Sequence, residues 1–179
     1  MQYWQLFVRI PEMFILCPAL LGLKGNLEMT FASRLSTASH LGRLSDPSIR
    51  TALIIANLLL IQCQAIVVAI AASLLSIVMG MLVHHEFSVH DSLVIVASSL
   101  ATASTASLIL GGVMALVVVS SKHCNIDPDN VATPIAAALG DLVTLAILAS
   151  SGSLLLSFGK ATVRAALLLV WLDVLSLTA

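Results

Sequence analysis

The sequence predicts an all-α integral membrane protein: a bundle of about four long transmembrane helices followed by a short C-terminal helix. Three observations predict it. Hydrophobic residues make up 59% of the 179 positions and charged residues 9%, and the mean hydropathy is +1.08, far outside the range of a soluble domain. Apolar stretches of the length needed to cross about 30 Å of hydrocarbon, roughly 20 residues, recur along the chain. The few charges between them fall mostly in short connections.

The first stretch, 13–38, carries Lys24, Glu28 and Arg34 and is punctuated by Pro18, Gly22 and Gly25, so a break in the helix is expected near the two glycines. The second, 51–83, is uncharged throughout and reads as a scaffold helix, long enough to tilt. The third, 92–121, is also uncharged and holds a small-residue tract at 97–107, which lets a second backbone approach closely; a neighbour is expected there, including a second chain. The fourth, 131–157, is apolar except for Asp141. The fifth, 165–179, contains Asp173 and is too short to be expected to cross fully. Arg43, Arg50 and Lys122 share one side of an alternating arrangement, and the positive-inside bias puts that side in the cytoplasm, with Lys160 and Arg164 pulling the other way.

A formal net charge of −1 without a basic cluster argues against nucleic acid as a partner. Cys17, Cys63 and Cys124 share no CxxC spacing and read as reduced thiols packed like small hydrophobes. The first ten residues lack the n-region, h-region and cleavage site of a secretory signal. No nucleophile elbow, P-loop or GxGxxG is present, so no enzymatic mechanism and no cofactor are expected. His84-His85-Glu86 with His90 and Asp91 departs from the spacing that seats two imidazoles on one helix face, and reads as a solvated loop rather than a metal site.

Asp141 is the residue that points to function. A carboxylate at the centre of a membrane span costs about 2.5–3.5 kcal/mol on insertion scales, so it faces a watery path or a partner. Asn130, Pro134, Ala137, Asp141, Thr144 and Leu148 fall on one side of the fourth helix. In the first span Asn26, Thr30, Ser33 and Thr37 recur at i, i+4, i+7 and i+11, a polar stripe at membrane depth. The two stripes are placed to face each other across a narrow aqueous gap. Each has a structural alternative: serine and threonine hydroxyls bonding back to their own helix or packing on a neighbour, Asp127 and Asp129 capping the fourth helix ahead of Pro128, and Asp141 paired with Lys24 or Arg34. Lys24 and Glu28, at i and i+4, can instead pair with each other, and in one straight helix they lie opposite Asn26.

Two long motifs carry a resemblance. Pro18-Ala-Leu-Leu-Gly-Leu-Lys-Gly-Asn-Leu-Glu-Met-Thr30 with Ser33-Arg-Leu-Ser-Thr37, and Asn125-Ile-Asp-Pro-Asp-Asn-Val-Ala-Thr-Pro-Ile-Ala-Ala-Ala-Leu-Gly-Asp141, closely resemble solute carrier family 41, the eukaryotic relatives of the bacterial MgtE magnesium transporters. Gly25 and Asn26 match the second glycine and the asparagine of the bacterial G-G-N-x-G-x-Q segment, while Lys24, Glu28 and Thr30 replace glycine, glycine and glutamine. Asp127-Pro128, Pro134 and Asp141 keep the family's spacing, which puts Asp141 at the position of the family's pore aspartate.

The resemblance implies an MgtE-like transmembrane domain over residues 10–158, incomplete because it starts just before the second helix of the family's unit, and a divergent tail over 159–179. It implies magnesium transport in a lipid bilayer by one half of a two-half pore, formed as a homodimer or with a second MgtE-like half. Asp141 is the metal ligand on this reading, with Asn26, Glu28, Thr30, Asp127, Asn130 and Thr144 along the ion path. The chemistry is coherent, because magnesium sheds its waters reluctantly and is usually held by one or two carboxylates with several waters retained. The membrane expected is the plasma membrane rather than the mitochondrial inner membrane. The alternative is a truncated, non-transporting subunit that associates through the 97–107 tract with a full-length relative and modulates it.

Overall fold

The computed structural model describes residues 7–84, 88–124 and 126–158, and within these the regular structure is helical. Four long helices follow one another: α1 (Met13–His40), α2 (Pro47–His84), α3 (Val89–His123) and α4 (Pro128–Phe158). Each begins or ends where local chemistry dictates. Asp46 caps α2 ahead of Pro47 by accepting from the Ser48 N–H at 3.0 Å and the Ser48 hydroxyl at 2.9 Å. Asp127 caps α4 ahead of Pro128, its carboxylate accepting from the Asp129 N–H at 3.2 Å, so the capping role read from the Asp-Pro pair is present. α1 ends in a Schellman motif: Arg43 N–H bonds to Ala38 O at 3.1 Å and Gly42 N–H to Ser39 O at 3.0 Å, with Gly42 at φ 73°, a conformation that a β-carbon would penalise.

The break expected near Gly22 and Gly25 is absent. α1 runs through both glycines and Pro18 as one helix of 28 residues, because its interruptions are locally compensated. Lys24 and Glu28 join successive turns, and the Thr30 and Thr37 hydroxyls bond back to carbonyls of the preceding turn. A β-carbon at Gly22 or Gly25 would meet nothing within 4 Å, so neither glycine is there for a close approach within this chain.

α2, α3 and α4 are long and apolar enough to cross a membrane. α1, at about 1.5 Å rise per residue, has the length to cross as well, but carries three charges. α1 and α3 each pack on all the other helices, whereas α2 and α4 scarcely meet and flank them on opposite sides. The outer surface of α2 presents Ile55, Leu59, Val67, Leu74 and Val78, as lipid requires. Inside, the apolar core is divided into two clusters. One gathers Met13, Leu16 and Leu20 with Ala69, Val94 and Leu100; the other gathers Phe31 and Leu35 with Ile61, Met114 and Ala132. Lys24 and Glu28 occupy the two turns of α1 between them.

Most of the small-residue tract packs against neighbouring helices of this chain, with Thr105 left exposed. Ser98, Ser99, Thr102, Ala103, Ala106 and Ser107 are all buried, covered by the protein's own helices. Ser99 donates to Ala69 O of α2 at 3.5 Å, and Thr102 shares a 3.0 Å hydrogen bond with Ser151 of α4. α2 is also less plain than its composition suggests: the Gln62 amide donates to the Ser104 hydroxyl and accepts from the Ser107 hydroxyl, a buried polar clasp between α2 and α3. The entry to α1 is pinned by the Ser76 hydroxyl, which donates to Glu12 O at 2.6 Å, while the Glu12 side chain fills the space beside Gly80. His85, Glu86, the fifth stretch 165–179 and the tail 159–179 lie outside the described residues.

Candidate ion-binding face

α1 and α4 pack side by side. His40 Nε2 lies 3.2 Å from Asp127 Oδ1, so the end of α1 meets the start of α4, and the helices are antiparallel. Further along, the Glu28 carboxylate lies where a β-carbon on Gly140 would be. These two tie points set the register: from 28 to 40 on α1 runs against 140 to 127 on α4. Asn26 and Asp141 therefore lie near one level, and Thr37 near the level of Asn130.

The two sequence stripes do not face each other across a gap within the chain. Asn26, Thr30, Ser33 and Thr37 are all exposed, along the side of α1 opposite to the one that buries Leu20, Lys24, Glu28, Phe31 and Leu35. On α4, Asn130, Pro134, Ala137 and Asp141 are likewise exposed. The physical reason is the helix period: α1 needs its apolar side for the core, which turns the polar stripe outward. Thr144 and Leu148, one and two turns beyond Asp141, are buried.

The local chemistry of these groups suits a hydrated cation. Thr30 Oγ1 donates to Asn26 O at 2.9 Å and Leu27 O at 2.8 Å, and Thr37 Oγ1 to Ser33 O at 2.9 Å. A hydroxyl whose proton is used in this way still offers lone pairs outward. Pro134 has no N–H, so the carbonyl of Asn130 loses its helical donor and becomes a further acceptor near the same surface. Asp141 makes no hydrogen bond and no ion pair among the described residues. Lys24 pairs with Glu28 instead, both 2% exposed. The pairing of Asp141 with Lys24 or Arg34 is therefore not formed. Arg34 has Nε and Nη2 buried without a partner among the described residues.

Asp127 is occupied by His40 and by the cap of α4. Among the described residues, no three His, Cys, Asp or Glu side chains converge as a metal cage. His90 and Asp91, from the histidine-rich connection, are 3.4 Å apart. Sequence reasoning missed Gly140 and Gln62. The signal for Gly140 was its place beside Asp141; the signal for Gln62 was an amide within an otherwise apolar span.

Fold and site define an α-helical membrane protein with a carboxylate that makes no hydrogen bond or ion pair among the described residues, on a helix apolar enough to span a bilayer. Residues 17–151 match the family MgtE, divalent cation transporter. Solute carrier family 41 member 2 of Homo sapiens is 53% identical over 148 residues, which are 83% of this chain and 26% of that protein. The member 2 protein of Xenopus laevis is 51% identical over the same length, and solute carrier family 41 member 3 of Mus musculus is 44% identical over 152 residues, 85% of this chain and 31% of that protein. No solved structure matches the chain. The chain belongs to the MgtE family of divalent cation transporters, in its solute carrier family 41 branch. It spans about a quarter to a third of the length of the curated relatives it matches.

Proposed function

We propose that this chain supplies one half of a two-half pore that carries magnesium across the membrane, with Asp141 as its metal ligand. The observation that carries the reading is Asp141 itself, a carboxylate exposed on the outside of the bundle, in a helix apolar enough to span the bilayer. Facing lipid, it would carry the full cost of a charge in hydrocarbon, so that surface belongs against water and a second half. The outward stripe of Asn26, Thr30, Ser33 and Thr37 and the exposed Asn130 support the same placement, because they line one level after another of the α1 and α4 surfaces with oxygen. Two such halves would bring two carboxylates to one divalent ion. Asn26, Thr30 and Asn130 would then meet its retained waters, while Glu28, Asp127 and Thr144 support the path from behind or at its mouth.

The transport unit on this reading is residues 10–158. The alternative is a non-transporting subunit that modulates a full-length relative; most of the 97–107 tract through which it would associate is covered within the chain, leaving Thr105 exposed. The test is magnesium flux into proteoliposomes. Asp141→Asn keeps size and polarity but removes the charge, and is expected to abolish flux with expression and assembly intact. Flux equal to that of the unaltered chain would sink the assignment.

A further inference from the structure

The buried ion pair of α1 stands behind Asp141, and its charges have a consequence for any cation bound there. Lys24 and Glu28 are the fully buried charged residues among those described, lying between the two apolar clusters, with the partly buried Arg34 further along α1. Glu28 reaches α4: its carboxylate fills the niche left by Gly140, whose chain neighbour is Asp141. Two carboxylates therefore flank one residue of α4 backbone, one outside and one inside, with a single ammonium on the inner one. The local ledger is −1: Asp141 counts −1, Glu28 −1 and Lys24 +1.

We propose that Lys24 is the residue that sets the divalent affinity of the Asp141 site, by holding Glu28 neutralised so that the ion meets one net negative charge instead of two. The inference rests on the reading of Asp141 as the ion ligand. A path that moves ions needs binding weak enough to release them. Electrostatic energy scales with the charge of the ion, so a divalent cation registers each unit of change at the site twice as strongly as a monovalent one does. Without Lys24, an ionised Glu28 becomes a second acidic neighbour and the ion is held too tightly. Without Glu28, an unmasked ammonium repels it.

Purified full chain in detergent, its thermal unfolding followed against added magnesium, reads the affinity without transport, since a ligand that binds the folded state raises its midpoint. Burial disfavours a lone charge, so each variant is read at a pH that keeps the orphan ionised. Lys24→Met at alkaline pH is expected to lower the magnesium concentration needed for half the effect by about tenfold or more, and Glu28→Gln at mildly acidic pH to raise it by about tenfold or more, each against the unaltered chain at the same pH. Because each leaves a buried charge alone, folding is protected by a third variant, Lys24→Glu with Glu28→Lys. This swap keeps the pair and the ledger but brings the ammonium to Gly140, and is expected to weaken magnesium. A purely structural pair gives shifts that share one sign or none.

Two overturning results are distinct. If Asp141→Asn removes the magnesium response and the Lys24 and Glu28 changes do not move it in opposite directions, the role of Lys24 fails alone. If Asp141→Asn leaves the response intact, the assignment of Asp141 fails, and this proposal with it.

Discussion

The Glu28 carboxylate of α1 occupies the space that a β-carbon at Gly140 of α4 would need. A glycine beside Asp141 thus serves the neighbouring helix, and the α1–α4 contact depends on it. Gly140→Val is expected to destabilise the chain by about 1–3 kcal/mol through overpacking, and Gly140→Ala by less, because the end of a flexible side chain can move aside. Combining Gly140→Val with Glu28→Ala should cost less than the sum of the two single changes, measured by thermal unfolding in detergent. Strict additivity would mean that the two residues are not in contact.

The positions of the helices were legible in the sequence, because four long apolar stretches with Pro, Gly and Asp at their ends leave few alternatives. Asp127-Pro128 marks the start of α4, whereas α2 begins at Pro47, four residues ahead of the apolar stretch read from 51, because Asp46 caps it there. The course of α1 was not legible. Gly22 and Gly25 read as a break because glycine weakens a helix by roughly 1 kcal/mol, yet tertiary packing of the Leu20, Phe31 and Leu35 side overrides so small a preference. The stripes themselves were legible from periodicity; which way they point was not, since a polar face reads the same whether it lines an internal gap or an outer one. The placement of Lys24 and Glu28 opposite Asn26 followed from a straight helix, and a straight helix is what forms. The buried fate of 97–107 was the reverse case: small residues announce close packing without saying whose backbone approaches.

The clasp formed by Gln62 with Ser104 and Ser107 is a second interior polar contact, and it joins α2 to α3. Hydrogen bonds between membrane helices are worth about 0.6 kcal/mol on average and up to about 1.7, because the unfolded helices find other partners. A double-mutant cycle with Gln62→Leu and Ser104→Ala should return a coupling in that range by thermal or denaturant unfolding in detergent. A coupling of zero would show that the amide is held by packing rather than by the hydroxyl.

Asp46 gives a pH signature outside the membrane. Its carboxylate accepts two bonds from Ser48, and these hold its pKa below the ordinary carboxylate range. A pKa depressed by folding means that the cap's charge-dependent contribution is present above the unfolded value, about 3.9, and is lost as pH falls through the folded one. Asp46→Asn keeps a capping side chain without the charge. The unaltered chain should therefore lose its advantage in melting temperature over Asp46→Asn as pH is lowered from about 5 to about 3. A difference that is constant across this window would remove the charge from the explanation.

Whether the outward stripe of α1 lines the ion path is decided at two adjacent residues. Asn26 is exposed at the centre of the polar side, while Leu27, about 100° round the helix, packs against both apolar clusters. In a chain freed of Cys17, Cys63 and Cys124, a cysteine replacing Asn26 should react with a membrane-impermeant thiol reagent, and millimolar magnesium should protect it. A cysteine replacing Leu27 should do neither, because its sulfur is turned into the bundle. Lipid at position 26 would leave the thiol protonated and out of reach of a charged reagent, so reaction there reports water and protection reports the ion. Equal labelling at the two positions, or labelling indifferent to magnesium, would make the stripe a packing surface and move the path elsewhere.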